Sequence, residues 1–125
     1  MNDVTARTLQ HRHKQWFLGK SIDGFCPMGP CIVTKDEIPD IEAAHLTTRV
    51  NGEIRQDAHV RDLIFDIPTL IETISRSITL EAGDIIATGT PAGVGIGFNP
   101  PKYLKKGDIV AARIEPIGEL SNPVS

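Results

Sequence analysis

At residues 83–95 the chain reads Gly-Asp-Ile-Ile-Ala-Thr-Gly-Thr-Pro-Ala-Gly-Val-Gly, an apolar stretch that runs out into small and turn-forming residues. Glycine at 89, 93 and 95 permits positive φ and removes the side chain, so backbone there can come close to another surface. Pro91 pre-sets a bend, and Thr88 and Thr90 supply hydroxyls. The pattern is no phosphate loop: it has neither Gly-x-x-x-x-Gly-Lys-Thr nor a Gly-x-Gly-x-x-Gly that opens a helix. On residue types alone it is either a wide turn or the border of a binding site.

The remaining pattern is one of short elements. Asp3 or Thr5 can cap a helix that runs to about His13, because their oxygens accept from the free N–H groups of a first turn. Residues 14–28 read as an irregular, glycine-containing loop, and 30–34 as a short apolar strand after Pro27 and Gly29. Residues 45–59 form a hairpin: Leu46, Thr48 and Val50 alternate before Asn51-Gly52, a pair suited to the positive φ of a tight turn, and Ile54 resumes beyond it. A helix is expected over 68–77, with Asp66 near its start, Pro68 in its first turn and Leu70, Ile71 and Ile74 on one face. Strands are expected at 84–88, 108–115 and 119–124, the last two joined through Pro116-Ile117-Gly118. This is a mixed, β-rich α+β pattern, a roll with two short helices, and no linker divides residues 1–125.

Charge and composition narrow the function classes. A net charge of −3 gives no electrostatic reason to expect nucleic acid. Arg12-His13-Lys14 reads as a solvated helix end. No apolar run approaches the roughly 20 residues of a membrane span and Met1-Asn2-Asp3 opens no signal peptide, so a cytoplasmic protein without membrane contact is expected. Cys26 and Cys31 are separated by a four-residue gap in Cys-Pro-Met-Gly-Pro-Cys, which matches neither a zinc knuckle nor a redox pair, and they read as reduced, largely buried thiols. His11 and His13 point to different faces of the first helix and read as surface residues; His45 and His59 flank the hairpin with no partner legible in sequence.

Asp3, Arg7 and Gln10 recur at helical spacing, so one face would carry an anion, a fixed cation and an amide. By residue type this is an N-cap with an i,i+4 ion pair, contributing a few tenths of a kcal/mol.

A different reading comes from the ensemble of motifs. Asn2-Asp3-Val4-Thr5-Ala6-Arg7-Thr8-Leu9-Gln10, then Leu18-Gly19-Lys20-Ser21-Ile22-Asp23-Gly24-Phe25, then Thr88-Gly89-Thr90-Pro91-Ala92-Gly93-Val94-Gly95 and Lys106-Gly107-Asp108-Ile109-Val110 resemble the C-terminal half of the fumarylacetoacetate hydrolase family, with 2-hydroxyhepta-2,4-diene-1,7-dioate isomerases and acylpyruvate hydrolases among its members. The resemblance runs from Asn2 to about Val124 and implies the family's β-roll as a partial catalytic domain. It makes Asp3 a ligand of a divalent metal, Mg²⁺ or alternatively Mn²⁺ or Ca²⁺, for which a hard oxygen donor is suited. Arg7, Gln10 and Thr90 become contacts to the oxygens of a small 2-oxo acid, with Gly89 letting backbone approach. Lys20 becomes both a substrate contact and the catalytic cation that stabilises an enolate or carboxylate, with Asp23 and Gly24 wrapping the same site and Asp23 orienting Lys20. Thr8 departs from the acidic residue common after Ala-Arg in the family, which bears on local support for Arg7. Asp62, Asp66, Glu81 and Asp84 flank turns and helix starts, where structural roles suffice.

The implied activity is metal-dependent hydrolysis, decarboxylation, hydration or keto–enol isomerisation of 2-oxo or 1,3-dicarbonyl acids, in a homo-oligomer, most simply a dimer. The family's upstream Glu-x-Glu ligands and its His/Glu acid–base element lie outside these residues. The alternative expectation is therefore a non-catalytic remnant or an assembly partner of a longer relative.

Overall fold

The structure, a computed structural model, describes residues 1–12 and 14–125; the expectations placed on His13 lie outside them. Four strands make one antiparallel sheet: β1 (His45–Val50), β2 (Glu53–His59), β3 (Ile109–Glu115) and β4 (Gly118–Pro123), in the order β2-β1-β3-β4. Among the described residues three α-helices accompany it, α1 (Arg7–Arg12), α2 (Phe17–Lys20) and α3 (Ile67–Ser75). The architecture is the expected small α+β domain.

The hairpin forms as its turn chemistry dictates. Asn51 and Gly52 take φ of 51° and 83°, the left-handed pair of a tight turn whose twist matches the flanking strands. Asn51 also ties the turn to β3: its Nδ2 donates to Asp108 Oδ1 at 2.9 Å, and its Oδ1 accepts from the Ile109 amide at 2.9 Å. Between β1 and β2 the register slips, Thr48 facing Gln56 while Arg49 faces Ile54, which leaves Arg55 as the extra residue of a β-bulge. β4 closes the other edge and ends on Pro123, a position where a missing N–H costs no ladder bond.

α3 starts as expected: Asp66 Oδ1 accepts from the Thr69 amide at 2.8 Å, with Pro68 in the first turn. Its half-buried stripe is Ile67, Leu70 and Ile74, and Ile71 faces out. Elsewhere the expectations need correction. Residues 17–20 of the expected loop are helical, because the Ser21 amide returns to Phe17 O at 2.9 Å and Gly19 packs on α1. Neither 30–34 nor 84–88 is a strand. Among the described residues neither enters the hydrogen-bonded ladder of the sheet, although Pro30 lies against Gly118 of β4, and Ile32 is 94% exposed.

The core is thin. Among the described residues the buried apolar side chains are Ile38, Ala44 and Val110, whereas Trp16, Phe17, Ile32, Ile64 and Phe65 are all exposed. Cys31 is exposed and Cys26 half-buried, which corrects the expectation of two largely buried thiols; both are free.

Candidate functional site

Residues 1–6 are not helical but run beside the loop that follows α2, held there by Asn2 N to Pro27 O at 3.0 Å and Ala6 N to Gly19 O at 2.8 Å. This placement undoes the expected cap and the i,i+4 pair. Asp3, lying before the helix, turns its carboxylate to Lys20, whose Nζ is 2.5 Å from Oδ2. Lys20 Nζ also donates to Thr5 Oγ1 at 3.1 Å, and these two, not Asp23, are its polar partners.

Gly19 makes the juxtaposition possible. A Cβ there would lie 2.8 Å from the Cβ and amide N of Gln10, so only glycine lets α2 sit against α1. Gln10 is 3% exposed, and its Oε1 accepts from Arg7 Nη1 at 2.8 Å. Arg7 is thereby anchored to an uncharged partner and keeps its full charge toward the surface. α1, α2 and the segment before them thus carry two polar sets joined by the Gly19–Gln10 contact: Lys20 with the Asp3 carboxylate and Thr5 hydroxyl, and Arg7 with the Gln10 amide.

Thr90 is held separately. Its Oγ1 accepts from Gln56 Nε2 at 2.7 Å, and the same nitrogen donates to Pro91 O at 3.0 Å. Gly93, with φ of 104°, lies so close to the Arg55 carbonyl that any Cβ would overlap it. The glycine-rich loop is therefore docked on the β2 bulge. Behind it, Arg55 and Lys102 lie 5.1 and 4.9 Å from the Phe98 ring centroid, and Lys102 Nζ donates to Glu53 Oε1 at 2.6 Å. That bond holds the Glu53 carboxyl below its ordinary range. Sequence reading missed Gln56, because nothing in an alternating hairpin marks which outward amide will meet a loop 34 residues away.

His45 and His59, without a legible partner in sequence, face one another across β1 and β2 with rings stacked at 4.7 Å, and His45 Nε2 meets Asp57 Oδ1 at 2.6 Å. The pair closes the end of the hairpin.

A divalent cation of the hard class takes six or more oxygens, several from carboxylates. Asp3 is a single carboxylate already paired with an ammonium, and among the described residues no group of three His, Cys, Asp or Glu side chains is arranged to hold a metal. These residues alone do not fit a complete metal centre. No helix among the described residues is long and apolar enough to cross a membrane.

The family model for the fumarylacetoacetate (FAA) hydrolase C-terminal region matches residues 1–125. The chain is 60% identical over 124 residues to the oxaloacetate tautomerase YisK of Bacillus subtilis, covering 99% of this chain and 41% of that protein. Its fold superposes on a fumarylacetoacetate hydrolase from psychrophilic Exiguobacterium antarcticum with a TM-score of 0.95 at 54% identity, over 98% of this chain and 44% of the other. It superposes on the maleylpyruvate hydrolase of Sphingobium sp. SYK-6, solved in complex with manganese(II) ion and pyruvate, with a TM-score of 0.77 at 42% identity, over 85% of this chain and 38% of that one. The chain thus spans about two-fifths of the length of the relatives it matches. With its motifs, its sheet and its whole length in agreement with them, it belongs to the fumarylacetoacetate hydrolase family.

Proposed function

We propose that residues 1–125 form the C-terminal part of a catalytic domain that acts on small 2-oxo acids, with keto–enol isomerisation of a substrate such as oxaloacetate as the reaction. The observation that carries this reading is the placement of Lys20: an ammonium fixed between Asp3 and Thr5, on a helix packed by Gly19 against the Gln10 that orients Arg7. Removing the proton from C3 of a 2-oxo acid moves negative charge onto the C2 oxygen. A cation already in position stabilises that charge without reorganisation, which is where electrostatic catalysis gains most. Arg7, with a planar fork of donors, suits the carboxylate of such a substrate. Thr90 supplies a hydroxyl to a further oxygen, and Gly89 allows close approach of the backbone.

Asp3 would serve as one ligand of a divalent cation completed by further carboxylates, and the cation would supply Lewis-acid chemistry when bound. Pyruvate and manganese in the maleylpyruvate hydrolase complex, and the tautomerase activity named for YisK, support a 2-oxo acid and a divalent metal.

The single carboxylate and the thin core favour a second reading, a non-catalytic partner that assembles with a longer relative. A chimera decides between them. Residues 1–125 replace the matching segment of the B. subtilis tautomerase, and interconversion of keto and enol oxaloacetate is followed by ultraviolet absorbance with Mg²⁺ or Mn²⁺. Turnover within about tenfold of the parent is expected; a folded, metal-loaded chimera without turnover leaves the partner reading.

A further inference from the structure

We propose that Gln56 is the positioning residue of the glycine-rich loop, holding Thr90 with its hydroxyl proton left free for an acceptor oxygen of the ligand. The inference rests on the reading of Thr90 as a ligand contact, and deepens it by specifying the polarity of that contact.

The direction of each bond follows from chemistry. Pro91 O can only accept, so the group facing it at 3.0 Å must be the amide nitrogen of Gln56 and not its oxygen. With that orientation fixed, the second N–H of the same nitrogen is the donor to Thr90 Oγ1 at 2.7 Å. Thr90 Oγ1 has thereby used a lone pair on protein, and its own proton is left for another acceptor. That proton suits a carbonyl or carboxylate oxygen, while the second lone pair of Oγ1 stays open.

The position of Gln56 has its own cause. The bulge at Arg55 shifts the β2 register by one residue just before Gln56, and bulges re-aim the side chain that follows. The same bulge presents the Arg55 carbonyl against Gly93, so the loop is seated at two points, one backbone and one side chain. Thr90 and Pro91 sit between the clamp and the seat.

Nuclear magnetic resonance on the 125-residue chain tests this, using the χ1 couplings of Thr90 and the exchange of the Gln56 side-chain amide protons. The unmodified chain should show one Thr90 rotamer and slowed exchange of both amide protons. Gln56→Met, which keeps length and removes both donors, should average Thr90 over the staggered wells with the melting temperature almost unchanged. Thr90→Val, which leaves the clamp on Pro91 intact, should release only one of the two amide protons. A Thr90 rotamer that stays single in Gln56→Met, or amide protons that exchange freely in the unmodified chain, overturns the proposal. A titration with millimolar oxalate separates the two levels. A shift at Thr90 that is lost in Gln56→Met supports both, whereas rotamer averaging on mutation with no oxalate shift in the unmodified chain leaves the positioning intact and removes Thr90 as a ligand contact.

Discussion

Lys20 and Asp3 meet at 2.5 Å across 17 residues of chain, and the meeting is enforced from behind by Gly19 on Gln10. The contact is partly solvated, Lys20 being 28% and Asp3 47% exposed at the side chain. A pair so exposed contributes little to folding, on the order of 1 kcal/mol or less. Its geometry is maintained by packing that the pair itself does not supply.

Gly19→Ala and Lys20→Met should therefore separate stability from site geometry. The alanine Cβ forces α1 and α2 apart and should cost about 1–3 kcal/mol, the range for overpacking a close contact. Lys20→Met should cost under about 1 kcal/mol. Urea unfolding of both variants checks the ranking.

At the glycine-rich loop, two glycines with positive φ should respond differently to alanine. Gly89, at φ of 116°, faces open space, and Gly89→Ala meets only backbone strain of about 1–3 kcal/mol. Gly93→Ala meets comparable strain and also collides with the Arg55 carbonyl, so the loop must leave β2. Thermal melts should rank Gly93→Ala well below Gly89→Ala, and hydrogen exchange in β2 should rise only for the former.

Much of this was legible before the structure. The hairpin at 45–59, the helix near 68–77 and the closing strands carry their own turn and cap residues, so local chemistry decides them. The motifs that suggested the family also named Asp3, Arg7, Gln10 and Lys20, and the structure gathers those four on α1, α2 and the segment before them. What sequence could not supply was tertiary. The stretches at 30–34 and 84–88 have strand composition but pair with no strand among the described residues, and whether a partner exists is not written locally. Asp3 and Arg7 stand at helical spacing, yet pairing with Pro27 and Gly19 keeps residues 1–6 out of the helix and gives Asp3 to Lys20 instead. The Gln56–Thr90 contact arises from a one-residue register slip, which leaves no mark in a pattern of alternation.

The Asn51–Asp108 link should be acid-sensitive. Hydrogen bonds from the Asn51 side chain and then from the Lys105 amide hold the Asp108 carboxyl below its ordinary value of 3.8. A carboxyl depressed in the folded state binds protons more readily when unfolded, so its stabilisation is present above the unfolded value and is lost as pH falls through the folded one. Asn51→Ala should destabilise at neutral pH, by about 1–2 kcal/mol from the left-handed backbone alone. The gap between wild type and variant should narrow as the pH falls from about 3.8, the ordinary value, through the lower folded one. Denaturant melts across the acid range measure that gap.

The exposed side chains of Phe17, Ile32, Ile64 and Phe65 should make the isolated chain self-associate. The outer faces of β2 and β4 add unpaired strand edges to the same tendency. Sedimentation velocity at micromolar concentration should show dimers or larger species. A stable monomer would mean that these surfaces need no cover.

The central claim is that the Lys20 ammonium acts on charge that develops during reaction. Its most direct measurement is the steady-state rate of oxaloacetate tautomerisation by the chimera with Lys20→Met, taken together with the melting temperature. A loss of about 10²–10³ in kcat is expected, the range for removing one electrostatic stabiliser, with KM changed far less and the melting temperature nearly constant. An unchanged kcat, or a rate loss that tracks the loss of melting temperature, would contradict it and make Lys20 part of the scaffold.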